Sequence, residues 1–240
     1  MFEHWYGGQL TPRLTLLDVE HVRHMDRGLV LETERLILRP FRTQDLPVYA
    51  EINADPAVVE FLGGIALSRT VSDEQADGAN RCFATRRFGK IAVERRGDGT
   101  FLGMCGLSIE AWFPHDLEIG WRFGSAYWGN GYATEAASAW LAYAFESLGT
   151  ARVISVADAP NMRSIAVMRR IGMRFNHAPR LSDEGGEFEA VVYSMDAALY
   201  REHASMPPYP RTPRTELLNV RFGSKADSGE LPGSGPSHCQ

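Results

Sequence analysis

The chain has 240 residues, enough for one large or two small domains, and its 44% hydrophobic and 23% charged content is that of a soluble globular protein. A formal charge of −5 argues against a nucleic-acid binder, and no apolar run approaches the ~20 residues of a membrane span. The three cysteines, Cys82, Cys105 and Cys239, are widely spaced and odd in number, and the histidines lack ligand spacing, so reduced thiols and no metal are expected.

The N-terminus carries Glu3 and His4 and lacks the plan of a signal peptide, which points to a cytoplasmic location. Residues 1–28 read as an N-terminal extension: either an added strand or helix over Leu14–Val22, or an early start upstream of Met25. From there Leu36–Phe41 alternates as a strand, and Thr43–Asn53 reads as a helix capped by Thr43 or Asp45. Ser72 and Gln75 have capping-box spacing ahead of a helix ending near Arg87. Strands follow at Ile91–Arg95, Phe101–Leu107 and Leu117–Phe123, the first two joined by the hairpin signal Arg96-Gly97-Asp98-Gly99.

After the third of these strands comes Trp128-Gly129-Asn130-Gly131-Tyr132-Ala133-Thr134, a glycine-rich turn opening a helix. Gly129 and Gly131 lack a β-carbon, so the backbone can turn tightly and approach a ligand; the unpaired amides and dipole of the helix start favour an anion, naturally a diphosphate. A Walker loop would require a Lys after the second glycine, and a dinucleotide fingerprint a third Gly at Thr134. Plain turn chemistry remains the competing reading of the loop alone.

The helix carries Ala133, Ala136, Ala137, Trp140, Leu141, Ala144 and Leu148 at helical spacing and stops at Gly149. Val153–Ala157 is a short strand, Asn161–Ile171 a helix closed by Gly172, and Met173–His177 and Phe188–Met195 are strands. Residues 206–240 hold Pro, Gly or Ser at 14 positions and no apolar periodicity, and are expected to be a disordered tail. Leu218–Asp227 there looks like a segment that recurs at the ends of unrelated proteins. The functional domain is thus expected over 29–205.

Trp128-Gly129-Asn130-Gly131-Tyr132-Ala133 resembles the acetyl-coenzyme A loop of the GCN5-related N-acetyltransferases (GNAT), and the wider Tyr127–Ala136 text resembles the branch of the ribosomal-protein alanine N-acetyltransferases. Asn161-Met162-Arg163-Ser164 through Gly172-Met173 resembles the second family signature; Phe101–Leu107 and Thr33–Pro40 resemble two of its strands. The resemblance covers about residues 30–200 in order. It implies an α/β (α+β) fold, a mixed and mostly antiparallel central sheet with helices on both faces. It also implies transfer of an acetyl group from acetyl-CoA to a primary amine, either a protein N-terminus or a small molecule, by direct attack in a ternary complex. The partner is then the amine substrate, with no nucleic acid or membrane, and the chain a monomer or homodimer.

Carried over residue by residue, the resemblance assigns cofactor binding to Trp121, Phe123, Gly129, Asn130, Gly131, Tyr132, Ala133, Thr134 and Asn161. The backbone amides of Trp121–Phe123 would stabilise the oxyanion. Glu118, beside apolar Ile119 and Gly120, is the candidate base; its other reading is an ordinary strand-end carboxylate. Many relatives place a Tyr as acid where this chain has Met168, which leaves Ser164 to serve the departing thiolate. Asn161 and Ser164 read equally as a helix cap and a first-turn polar residue. A catalytically silent acyl-CoA-binding module is the alternative function.

Overall fold

The computed structural model describes residues 28–183, 185–205 and 219–223. Strands β1 (Gly28–Glu32) and β2 (Leu36–Arg39) open the fold and are followed by a short 3-10 turn, Thr43–Asp45, leading into helices α1 (Leu46–Ala54) and α2 (Pro56–Val59). Helix α3 (Arg69–Arg86) then leads to β3 (Lys90–Arg95), β4 (Phe101–Ser108) and β5 (Leu117–Phe123). Helix α4 (Tyr132–Ala142) runs on into a wider π-type turn, Tyr143–Ser147, before β6 (Arg152–Asp158) and α5 (Met162–Arg170). The domain closes with β7 (Arg174–His177), β8 (Arg180–Asp183), β9 (Gly186–Asp196) and α6 (Ala197–Ser205), and β10 (Asn219–Gly223) follows.

All ten strands belong to one sheet in the order β10-β1-β2-β3-β4-β5-β6-β9-β7, with β8 paired to β9. Every pairing is antiparallel except β5 with β6, which are parallel and joined only at Leu117↔Val153 and Glu118↔Ile154. This is the mixed, mostly antiparallel sheet with helices on both faces that the sequence leads one to expect.

The sheet faces separate by the two-residue period of the strands. Ile91, Val93, Cys105, Leu107, Ile119 and Val153 point to one face, where α4 and α5 bring Ala136, Trp140, Ile165 and Met168 into a single apolar core. The indole of Trp140 is fully buried and donates to the Cys105 carbonyl at 3.0 Å. Ala92 and Met104 point to the other face and pack beneath Tyr49 and Ile52 of α1 and Ala76 of α3. Arg39, with its side chain 3% exposed, forks onto both oxygens of Asp45 at 2.6 and 2.9 Å and reaches Glu94 at 2.6 Å, pinning the entry to α1 onto β2 and β3. Such a buried pair holds geometry more than it adds stability, because desolvation of the charges offsets most of the attraction.

Several boundaries differ from expectation for identifiable reasons. Helix α3 starts three residues before Ser72: Ser68 is its cap, accepting from the Val71 amide at 3.3 Å, and Ser72 is buried inside the helix, where it accepts from Asn53 at 2.7 Å. Gly149, at φ 65°, ends the α4 segment as expected, but the last turn widens before it. β8 and α6 were unforeseen; α6 packs against Gly172, where an added β-carbon would lie 2.7 Å from the His203 ring. Residues 219–223 lie in the segment expected to be disordered and instead form β10, pairing from Gly28↔Gly223 to Glu32↔Asn219. The edge of β1 offers unpaired amides and carbonyls, and Asn219-Val220-Arg221-Phe222 alternates polar with strand-forming residues, a signal too short to register within Pro- and Gly-rich surroundings. Leu14–Val22 lies outside the described residues. Cys105 is a buried free thiol.

Candidate active site

β5 and β6 part after Glu118. Gly124 donates to the Leu102 carbonyl of β4, so by the alternation of an antiparallel ladder the amides of Trp121 and Phe123 face the other way, into the widening gap towards β6. The Ile119 carbonyl in that gap is taken by the Ser155 hydroxyl at 2.9 Å, and the Phe123 carbonyl by the Trp128 indole at 2.9 Å. The donors of Trp121 and Phe123 are therefore presented at the split with the nearest acceptors already engaged.

The chain then rounds Ser125–Tyr127 and enters the glycine loop. Gly129 has φ 78° and Gly131 φ 79°, the left-handed region that a side chain strains. Gly131 is the N-cap of α4 and has no side-chain cap, so the amides of Tyr132, Ala133 and Thr134, lacking intrahelical partners, are left for a ligand. Asn130 turns its amide inward onto the Tyr127 and Trp128 carbonyls, both at 3.1 Å, and so braces the loop rather than reaching out of it.

Two residues outside the sequence expectation hold this loop. Buried Glu135 in the first turn of α4 accepts from the Thr33 hydroxyl at 2.5 Å, the Arg35 amide at 2.9 Å and Arg35 Nε at 2.6 Å. Arg35 in turn donates to the Asn130 carbonyl at 3.1 Å and lies over the Tyr132 ring, 4.9 Å from its centroid. On the opposite flank Arg163, at the start of α5, lies 4.2 Å from the Trp128 ring centroid. Two guanidinium groups thus border a loop of outward amides, a surrounding suited to an anion.

Asn161 caps α5: its Oδ1 accepts from the Ser164 amide at 3.1 Å, the local role the sequence offered as an alternative. Ser164 is half-buried, and Met168 is fully buried in the α4–α5 core. Ser164 belongs to the α5 side of the sheet and Glu118 to the α1–α3 side, so the two residues stand on opposite faces.

Glu118 is 7% exposed. Burial pushes its carboxyl up to about 7; the Lys90 ammonium opposes that shift and the neighbouring Glu110 adds to it. Further along the same face Arg122 donates to Asn53 at 2.6 Å and Gln75 at 3.3 Å, joining β5 to α1 and α3. Among the described residues no group of three His, Cys, Asp or Glu is placed to hold a metal ion, and no helix is long and apolar enough to cross a membrane.

The family comparison decides what this arrangement belongs to: residues 35–174 match the Acetyltransferase (GNAT) domain. The chain belongs to the GNAT acetyltransferases. The uncharacterized N-acetyltransferase YnaD of Bacillus subtilis is 30% identical over 148 residues, covering 60% of this chain and 82% of YnaD. Among solved structures, an acetyltransferase from Agrobacterium tumefaciens is 29% identical with a TM-score of 0.60, covering 69% of this chain and 93% of that one. A GNAT-family acetyltransferase from Bacillus anthracis shares the fold at 24% identity and a TM-score of 0.62, with coverage of 70% and 99%. Acetyl transfer from acetyl-CoA, the reaction of the family, is accordingly the general chemistry of this acetyltransferase. The open amides of the split and the left-handed glycines suit that donor: the first can meet the amides and thioester of an extended arm, the second a diphosphate.

Proposed function

We propose that this acetyltransferase moves an acetyl group from acetyl-CoA to a primary amine, a protein N-terminus or a small molecule, by direct attack in a ternary complex with Glu118 as the base. The observation that carries the reading is a buried carboxylate, pushed up to about 7, at the point where β5 and β6 part. A base must be ionised to accept a proton and basic enough to hold it, and a carboxyl near neutrality meets both needs at physiological pH.

The donor's diphosphate would rest on the amides of Gly129–Thr134, flanked by Arg35 and Arg163. Trp121 and Phe123 would donate to the acyl arm and to the carbonyl oxygen as negative charge develops on it. The amide nitrogen of Asn161 would serve the same arm, its oxygen being committed to the cap. Glu118 accepts the proton of the acceptor ammonium from the α1–α3 side. Ser164, on the other side of the split, would donate a hydrogen bond to the departing sulfur, in place of the proton that Met168 lacks. The text of Tyr127–Ala136 resembles the branch of the ribosomal-protein alanine N-acetyltransferases, which includes enzymes acting on protein N-termini and others acting on small amines, so both acceptor classes belong to the reading.

Thiol release from acetyl-CoA, followed over a panel of N-terminal peptides and small amines, tests the reading. Turnover is expected on at least one class, and Glu118→Gln is expected to lower it by ~10²–10⁴ while coenzyme A binding by calorimetry is kept. Coenzyme A binding without turnover on any amine would leave an acyl-CoA-binding module.

A further inference from the structure

Beneath α1 and α3 the sheet carries a cluster of charged groups that the reaction as described leaves unused. Lys90 on β3 and Ser108 on β4 share this face with Glu118 and Gly120 on β5, through the register Lys90↔Gly106↔Gly120 and Ser108↔Glu118. Glu110 follows two residues after Ser108. The Lys90 stem lies across the strip of bare backbone at Gly120, where an added β-carbon would stand 2.9 Å from its Cε and 3.2 Å from its Nζ. Its ammonium donates to Glu110 Oε1 at 2.8 Å but remains 3.7 Å from Glu118 Oε2. Ser108 donates to the same Glu110 oxygen at 2.6 Å.

The two carboxyls thus face one ammonium, Glu110 from 2.8 Å and Glu118 from 3.7 Å. Two adjacent carboxyls cannot both lose their protons cheaply, and the one with the nearer cation and more donors stays ionised. That one is Glu110. We propose that Glu110 and Lys90 are positioning residues for Glu118: Lys90, lying along Gly120, is drawn to Glu110, and the anion fixed there makes Glu118 the stronger proton acceptor. This inference rests on Glu118 being the base.

The titration directions agree. Burial pushes Glu110 up, but the Lys90 charge and the Lys90 and Ser108 hydrogen bonds bring it below the usual carboxylate range, while Glu118 moves the other way. The other groups facing this cluster are Arg122 on β5, whose charge bears on Lys90; neutral Asn53 and Gln75 of α1 and α3, which hold Arg122; and the Val156 backbone of β6, which acts on Glu118 in the same direction as Lys90.

The test is the pH profile of kcat/KM for the full chain and its variants, with coenzyme A affinity as the check on folding. Ionised Glu118 is the active form, so activity falls as pH drops through its pKa. Glu110→Gln removes the neighbouring anion and leaves Lys90 to Glu118; the acidic limb is expected to move down by roughly one pH unit, with turnover lowered by about tenfold as the base weakens. Lys90→Met is expected to move the limb up by about one unit, and Lys90→Arg to return it towards wild type. Should Lys90→Met not fold, Gly120→Ala displaces only the lysine stem and carries the same upward shift. If Glu118→Gln is inactive and the limb stays in place in Glu110→Gln and in Lys90→Met or Gly120→Ala, the two residues are structural and the inference falls alone. If Glu118→Gln turns over as wild type, the reading of Glu118 as base falls with it.

Discussion

Between Trp128 and Glu135 the chain builds its proposed anion seat from residues adjacent in sequence, whereas the carboxylate of Glu118 draws its surroundings from three strands and the segment after β4. The seat depends on backbone: two left-handed glycines and the first amides of α4, with Glu135 fastening the helix start to the β1–β2 turn. The proposed base depends on side chains brought together by register, with Lys90 reaching towards Glu118 across Gly120. A site made of backbone is insensitive to most side-chain changes and intolerant of a few; a site made of assembled charges responds in graded fashion to each.

That contrast is most severely tested at Glu135. Glu135→Ala removes the acceptor shared by Thr33 and Arg35 and is expected to cost about 2–4 kcal/mol in urea unfolding, below the loss for a fully buried pair because the Arg35 side chain is 39% exposed. Coenzyme A affinity should fall with it as the loop loses its brace, and an unchanged affinity in the folded variant would separate the clamp from the seat. Gly131→Asp comes next. Forcing a side chain into φ 79° costs about 1–2 kcal/mol, and the added charge opposes an anion, so calorimetry should show coenzyme A affinity at least tenfold weaker with the fold intact. The smallest effect is expected at Ser164. Because a thiol with a pKa of about 8.5 is already a fair leaving group, Ser164→Ala should lower turnover by less than about tenfold and leave coenzyme A binding unchanged. A loss as large as that of Glu118→Gln would make Ser164 the principal acid.

The same contrast explains what could be read from the amino-acid order. Strands β2 to β6 and helices α4 and α5 were legible because each is a periodic run bounded by its own stop, such as Gly149 and Gly172. The glycine loop was legible because its parts are neighbours in sequence. Lys90, Glu110 and Arg35 were not: nothing near Lys90 says that it will lie over Gly120, and that relation exists only once β3, β4 and β5 are in register. The turn chemistry of Asn161 was offered as an alternative and is present; Asn130 resembled a ligand contact and is seen bracing its own loop. β10 escaped because a five-residue strand needs an edge to pair with, and that edge lies almost two hundred residues away in sequence.

The parting of β5 and β6 also bears on traffic through the enzyme. With the seat and Ser164 on the α4–α5 side and Glu118 on the α1–α3 side, donor and acceptor would arrive from opposite faces of one sheet and meet only in the gap. Neither then has to leave before the other enters, and the spent carrier can depart without crossing the path of the modified amine. A short stretch of missing strand pairing would thus serve as the place where the two faces of the sheet communicate.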